Sequence, residues 1–253
     1  MSTSGPSASP TSPFWLTAFL DSSSDHHLAG VGFWQAATGY ALSPPRGDSE
    51  EFATLLPPHG DAFLRVQRLH HGADRVHLDL HVPDARAAAD AAVVAGAVEL
   101  VDRGHVVLAS PGGLVFCFVD SPAALEPAPT VHPDGTAARV RQVAIDVPRA
   151  SYDVELTFWT TLTRWPQRRS TVTEDFRFLV QPGGQPLGLL LQRLDEPDGP
   201  ARAHLDWGCS DRAAETERHL ALGARVLAVH EHWTVMLDPV GRVYCLTSQD
   251  PTG

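Results

Sequence analysis

Arg75-Val76-His77-Leu78-Asp79 returns 127 residues later as Arg202-Ala203-His204-Leu205-Asp206. Working outward from that stretch, Phe33-Trp34 returns as Phe158-Trp159 and Gln67-Arg68-Leu69 as Gln192-Arg193-Leu194, each 125 residues on. A nearly constant offset over such distances marks duplication of a whole domain rather than stacking of short repeat units. Polar residues kept in both copies, on strands, are therefore candidates for a cleft that occurs twice.

Each copy has the same internal grammar. An apolar strand (Trp15–Leu20; Val140–Val147) precedes a helix carrying the Phe-Trp pair (about 28–38; about 153–163), and two strands follow. The pattern then restarts with the quoted strand, a second helix and three short strands. The second helix is sharply bounded. Asp84 is suited to the N-cap, residues 85–95 are strong helix formers, and Gly96 can take the left-handed stop position; Asp211 and Gly223 repeat this spacing. The closing phrases, Pro111-Gly-Gly-Leu-Val-Phe-Cys117 and Pro239-Val-Gly-Arg-Val-Tyr-Cys245, contain hairpin turns. Each half thus reads βαβββ twice. The fold class expected is α+β, with helices on one face of a curved mixed sheet and a cleft on the other. The boundaries expected are a disordered leader over 1–13, rich in Ser, Pro and Thr, a first domain over 14–120, a Pro-rich linker over 121–138 and a second domain over 139–249.

The formal net charge is −11, which argues against a nucleic-acid or anionic-membrane surface, since either needs a basic patch. Three cysteines without framework spacing, no secretory pattern at the N-terminus and no apolar run of spanning length point to a cytoplasmic protein, either monomer or homodimer.

Strand residues alternate between faces, so Arg75, His77, Asp79 and His81 share one face and Val76, Leu78, Leu80 and Val82 the other. The apolar face packs under the helices; the polar face is the cleft side. Arg202, His204 and Asp206 repeat the pattern. His77 and His204 are candidate bases or ligand anchors, with Asp79 and Asp206 orienting their rings. A purely structural alternative is a cross-strand network in which Arg pairs with Asp and His bonds a neighbouring Gln. Trp34 and Trp159 read as core, whereas Trp15, Tyr40 and Trp165 are candidates to line the cleft. His230-Glu-His-Trp233 reads as a surface strand start, and His26-His27 and His70-His71 as solvated loops.

Together, the paired βαβββ units, the Phe-Trp helix, the Arg-x-His-Leu-Asp strand, the Gly-Ala helix end and the final Cys strand resemble the vicinal oxygen chelate superfamily, and within it the glyoxalase-like domains. That superfamily includes glyoxalase I, extradiol dioxygenases, fosfomycin-resistance enzymes and bleomycin-binding proteins, so the resemblance implies a fold rather than a reaction. Where its members use a metal, the ligands lie on the first and last strands of the modules. Carried over by position, the first half offers Thr17, Gln67, His77 and Cys117; the second offers Gln142, Gln192, His204 and Cys245. Each set has one His, an amide and a thiol, and lacks the carboxylates of glyoxalase I or the two-His, one-carboxylate set of extradiol dioxygenases. The resemblance, read with that departure, implies a protein that binds a small organic molecule without the usual metal. Gln67, His77, Asp79, Gln142, Gln192, His204 and Asp206 are its ligand-binding candidates. The alternative is a metal-dependent lyase or dioxygenase holding a divalent ion through His77 or His204 with Cys117 or Cys245 and an Asp. That alternative requires three donors to converge on one point.

Overall fold

The computed structural model describes residues 11–252. The first domain contains two βαβββ modules. One is β1 (Trp15–Ser23), α1 (Ser24–Thr38), β2 (Ala41–Leu42), β3 (Phe52–Leu56) and β4 (Leu64–Leu69). The other is β5 (Arg75–His81), α2 (Ala85–Val94), β6 (Val98–Asp102), β7 (Val106–Ala109) and β8 (Val115–Val119). After a short β9 (Thr130–Val131) the second domain repeats the plan. Its modules are β10 (Ala137–Val147), α3 (Tyr152–Thr163), β11 (Gln167–Arg169), β12 (Phe176–Leu179) and β13 (Gly188–Arg193), then β14 (Arg202–Cys209), α4 (Arg212–Ala221), β15 (Arg225–Val229), β16 (Trp233–Leu237) and β17 (Val243–Thr247).

The two sheets have matching strand orders, β2-β3-β4-β1-β5-β8-β7-β6 and β11-β12-β13-β10-β14-β17-β16-β15. In each, the first strands of the two modules (β1 with β5, β10 with β14) pair antiparallel at the centre, and each also pairs parallel with the last strand of its own module. The α+β class is thereby realised, with both modules of a half fused into one curved sheet. Local chemistry sets the boundaries. The Asp84 and Asp211 carboxylates accept from Ala87 N and Ala214 N, capping α2 and α4. Gly96 and Gly223 close the same helices at φ +111° and +94°, where a side chain is strained.

The apolar faces of the sheets and the helices over them form one continuous core that includes residues of both halves. Trp34 of α1 lies against Trp207 and Tyr244 of the second sheet, and Phe158 and Trp159 of α3 lie against Phe116 of the first. Trp34 donates Nε1–H to buried Asp238 (3.0 Å), and Glu155 of α3 accepts from Ser110 and Gly112. The halves are therefore locked back to back, helix layers inward and polar sheet faces outward.

Four expectations are corrected here. Trp15, Tyr40 and Trp165 do not line a cleft; they are core residues, at most 5 % exposed. The helix of the first module starts at Ser24, so His26 and His27 lie on its first turns rather than in a loop, and His26 pairs with Asp74 (2.8 Å). The segment 121–138 is more than a spacer. Thr130 and Val131, β-branched residues with free N–H groups between prolines, pair with the start of β10, and Asp61 pins Ala124 and Leu125. Within the leader, residues 1–10 lie outside the described residues, while Pro13 is buried where the chain enters β1. Among the described residues no helix is long and apolar enough to cross a membrane.

Candidate functional site

The central strand pair of each sheet builds the site, because antiparallel register puts directly opposed residues on one face. In the first domain Thr17 opposes Asp79, Phe19 opposes His77 and Asp21 opposes Arg75. In the second, Gln142 opposes Asp206, Ala144 opposes His204 and Asp146 opposes Arg202. The parallel neighbour adds a thiol, with Cys117 beside Asp79 and Cys245 beside Asp206. All six of the His, Asp and Cys side chains are buried.

His77, Asp79 and Cys117 bring one donor atom each within 4.8 Å of one another, and His204, Asp206 and Cys245 do the same. Gln67 and Gln192 stand outside these groups, opposite Phe52 and Phe176 on the next strand pair, with Gln192 on the cleft wall. Thr17 is likewise diverted: its hydroxyl bonds His81 Nε2 (2.9 Å).

The histidine rings are oriented by residues that the sequence reading did not single out. His77 Nδ1 bonds Asp21 (2.8 Å) and His204 Nδ1 bonds Asp146 (2.9 Å). Asp79 and Asp206, expected to do this, instead face the opposite nitrogen, Nε2, at 3.8 and 3.3 Å. The physical reason is geometric: same-strand neighbours two apart are about 7 Å apart, whereas an acid on the adjacent strand reaches Nδ1 directly. The expected His–Gln bond is replaced by these His–Asp bonds, and Gln142 donates to Asp206 Oδ2 (2.7 Å). Arg–Asp pairing does occur, as Arg75 with Asp21 (2.9 Å) and Arg65 with Asp79 (3.7 Å). The overlooked signal is simple: Asp21 recurs as Asp146 at the same 125-residue offset.

Electrostatics follow from burial and these acids. Burial opposes charge on His204, but Asp146, then Asp206 and Cys245, outweigh it and lift its pKa well above the ordinary value. Burial and Asp206 push the Cys245 thiol up, and burial with Asp79 pushes Cys117 far up, so both resist ionisation.

The two clefts differ in what fills them. In the first domain the Phe19 ring stacks on His77 at 4.4 Å, Arg65 lies over Phe19 and reaches Asp79, and Phe52 closes on Phe19 edge-on. The matched positions in the second domain are Ala144 and Leu190. There a cavity of about 610 Å³ stands open above His204, Asp206 and Cys245, with Phe176, Phe178 and Trp233 among its walls. His230-Glu-His-Trp233 is the exposed strand start expected, with β16 beginning at Trp233, and it also borders the cavity. It turns between β15 and β16, places Glu231, His232 and Trp233 on the cavity rim, and stacks His230 on Trp233 (4.5 Å).

Comparison with known proteins agrees with this duplicated architecture. The family described as "Glyoxalase-like domain" matches residues 17–119 and again 142–247. Among solved structures, a variant of 4-hydroxymandelate synthase from Streptomyces coelicolor is 16% identical with a TM-score of 0.63, over 95% of this chain and 94% of that one. The 2,2',3-trihydroxybiphenyl 1,2-dioxygenase from Sphingomonas wittichii strain RW1 is 16% identical with a TM-score of 0.60, over 94% and 90%. The Mn(II)-bound glyoxalase from Novosphingobium aromaticivorans is 16% identical with a TM-score of 0.55, over 95% and 84%. At such identities the likeness is one of fold. No curated protein matches the chain.

Proposed function

This chain belongs to the glyoxalase-like domain family of the vicinal oxygen chelate superfamily in both of its halves, and we propose that its second domain binds a small organic molecule in the cleft above His204, while the first domain acts as scaffold. The observation that carries this is the exchange at matched register: Phe19 and Arg65 fill one cleft where Ala144 and Leu190 leave the other open. The open cavity, about 610 Å³, falls in the size range of small-molecule sites and joins aromatic walls to a few convergent polar groups. His204, Asp206 and Gln142 anchor polar atoms of the ligand; Phe176, Phe178 and Trp233 cover its apolar part.

The test is a small-molecule library screened by ligand-observed NMR against the native chain and Ala144→Phe, which rebuilds the first domain's closure in the second. Hits on the native chain that vanish with Ala144→Phe support the reading. Hits that persist in the variant place the ligand elsewhere and refute it.

A second reading is favoured by one specific feature, the convergence of His204 Nε2, Asp206 Oδ1 and Cys245 Sγ. Asp206 Oδ1 is buried with no hydrogen-bond partner among the described residues, and Asp146 holds the far nitrogen of His204, as carboxylates commonly do behind a metal-binding imidazole. An imidazole, a thiolate and a carboxylate fit a borderline-soft divalent ion such as zinc better than a hard one. When bound, such an ion polarises a ligand oxygen as a Lewis acid. His204 and Cys245 would first have to give up protons that their surroundings hold firmly. Elemental analysis of untagged protein decides between the readings. About one equivalent of metal, absent from His204→Ala, establishes the second; metal-free protein that still binds the screened ligands establishes the first.

A further inference from the structure

A side chamber of about 320 Å³ adjoins the main cleft and shares Gln142, Phe178 and Gln249 with it as lining. Its charged lining is Arg141, Arg168 and one carboxylate, Glu126. Arg141 is the extra residue of a β-bulge in β10: Val140 opposes Trp207 and Gln142 opposes Asp206, so Arg141 has no partner of its own. The register of β1 on β5 runs unbroken through the same region, so the first domain has no counterpart. A bulge re-aims a side chain out of the regular alternation. Room for it is provided at Gly208, where a Cβ would come within 2.6 Å of Arg141 Cδ; the matched position in the first domain is the bulky His81. Arg168, on the edge strand β11, lies flat over the Phe178 ring at 4.2 Å.

Arg141 donates to the main-chain carbonyl of Asp250, and among the described residues neither arginine has a carboxylate within salt-bridge distance. The nearby acids are committed elsewhere, Glu126 to Arg139 (2.6 Å) and Asp250 to Thr252 (2.8 Å). Burial, with Arg139 beside it, lowers the Arg141 pKa, outweighing the opposite pull of Asp250 and Glu126. The opposite wall is the turn at Gly183 and Gly184, where an added Cβ would meet nothing within 4 Å, so bare backbone faces the chamber. Gln185 fixes that turn by accepting from Leu16 N of the first domain (2.9 Å).

We propose that the ligand of the second domain carries a flat ring against Phe176, Phe178 and Trp233 and an anionic, carboxylate-type substituent that enters the side chamber between Arg141 and Arg168. The proposal rests on the cleft reading given above and adds the chemical class of the ligand. A guanidinium pairs with a carboxylate through two parallel N–H donors, and two guanidiniums against the one carboxylate of Glu126 leave the chamber lining net positive.

The test uses matched probes: benzoate, phenylacetate, 3-phenylpropionate and 4-phenylbutyrate, each beside its neutral primary amide, titrated into the full chain by ligand-observed NMR. At least one acid binds about tenfold more tightly than its amide, and Arg168→Gln brings the two within about threefold. Arg168 is exposed, so this variant folds even if Arg141→Met disturbs the tail that Arg141 holds. Acid preference that survives both variants overturns the chamber as its source. Acids and amides of equal affinity, both lost in Ala144→Phe, overturn the acidic class while leaving the cleft reading intact. Absence of binding by either series overturns both.

Discussion

Replacing Trp34 by Phe tests whether the back-to-back junction holds up the open site, and its twin Trp159 supplies an internal control. Trp34 packs on Trp207 and Tyr244, which alternate along β14 and β17 with the cleft residues Asp206 and Cys245. Its Nε1–H is the hydrogen-bond donor to Asp238 Oδ2, whose next polar neighbour is Arg242 Nε at 3.8 Å; Val240 N and Arg242 N serve only Oδ1. Trp34→Phe therefore strands one oxygen of a fully buried carboxylate. A hydrogen bond to a charged group contributes about 1.5–3 kcal/mol, and the lost part of the ring adds about 1 kcal/mol. The expected cost is about 2.5–4 kcal/mol, which at about 2–4 °C per kcal/mol lowers Tm by roughly 5–15 °C. Trp159 also donates to a buried acid, but Glu155 keeps Ser110 on the same oxygen and Gly112 N on the other. Trp159→Phe should then cost only about 1–2 kcal/mol, since no oxygen is orphaned. Thermal and urea unfolding of both variants, measured side by side, check the order. Equal costs, or a larger one for Trp159→Phe, would falsify the claim that an orphaned carboxylate oxygen sets the difference.

Three further outcomes are expected. Burial opposes ionisation of Glu215, but hydrogen bonds from His219 and Arg218 prevail and hold its pKa below the ordinary 4.5. A depressed acid stabilises the fold above its unfolded pKa and loses that contribution as pH falls through the folded one. Glu215→Gln should therefore flatten the fall in urea-unfolding stability below about pH 4.5, a slope of at most about 1.4 kcal/mol per pH unit for one proton; an unchanged slope contradicts this. Phe19→Ala with Arg65→Leu gives the first cleft the second cleft's residues at the two filling positions only, so a neutral aromatic probe that binds the native chain once should gain a second, weaker site there, without the Gln142 and Arg141 contacts. It should do so at a stability cost of at least about 3–5 kcal/mol from truncating the buried Phe19 ring, with unpairing of Asp79 adding to it, and a folded variant that still binds once sinks the idea that these side chains close the cleft. Gly208→Ala sets a Cβ against Arg141 Cδ and the carbonyls of Gln249 and Asp250. It should cost about 1–3 kcal/mol and raise hydrogen exchange in residues 248–252, whereas native-like exchange there means that the tail does not rest on Arg141.

Much of the fold is legible along the chain because its punctuation is local and occurs twice. Asp84 with Gly96 and Asp211 with Gly223 bound helices, Pro-Gly turns bound hairpins, and strict alternation in Arg75–His81 assigns the faces. Elements whose partners lie far away are harder to read. Two β-branched residues, Thr130 and Val131, are too short a run to read as a strand until β10 is placed alongside. Trp15 looks amphipathic and free for a cleft, yet it is fully buried. The His–Asp pairing has the same character: Asp21 and His77 are distant in sequence and meet only through the register of β1 on β5.

The site also shows why repetition is a partial guide to function. What both halves keep, the His, Asp and Cys of the central strands with Asp21 or Asp146 behind the imidazole, is kept equally in the cleft that Phe19 and Arg65 fill. A network that persists beneath Phe19 and Arg65 serves the fold at least there, since buried polar groups must satisfy one another whether or not a site is open. The functional distinction therefore lies in the differences: Ala144 and Leu190 for the filling pair, Gln142 for Thr17, Gly208 for His81, and the bulged Arg141 with no counterpart. Each of these either removes bulk from the second cleft or adds a polar group near its wall, and the binding proposed for the second domain rests on them rather than on what both halves keep.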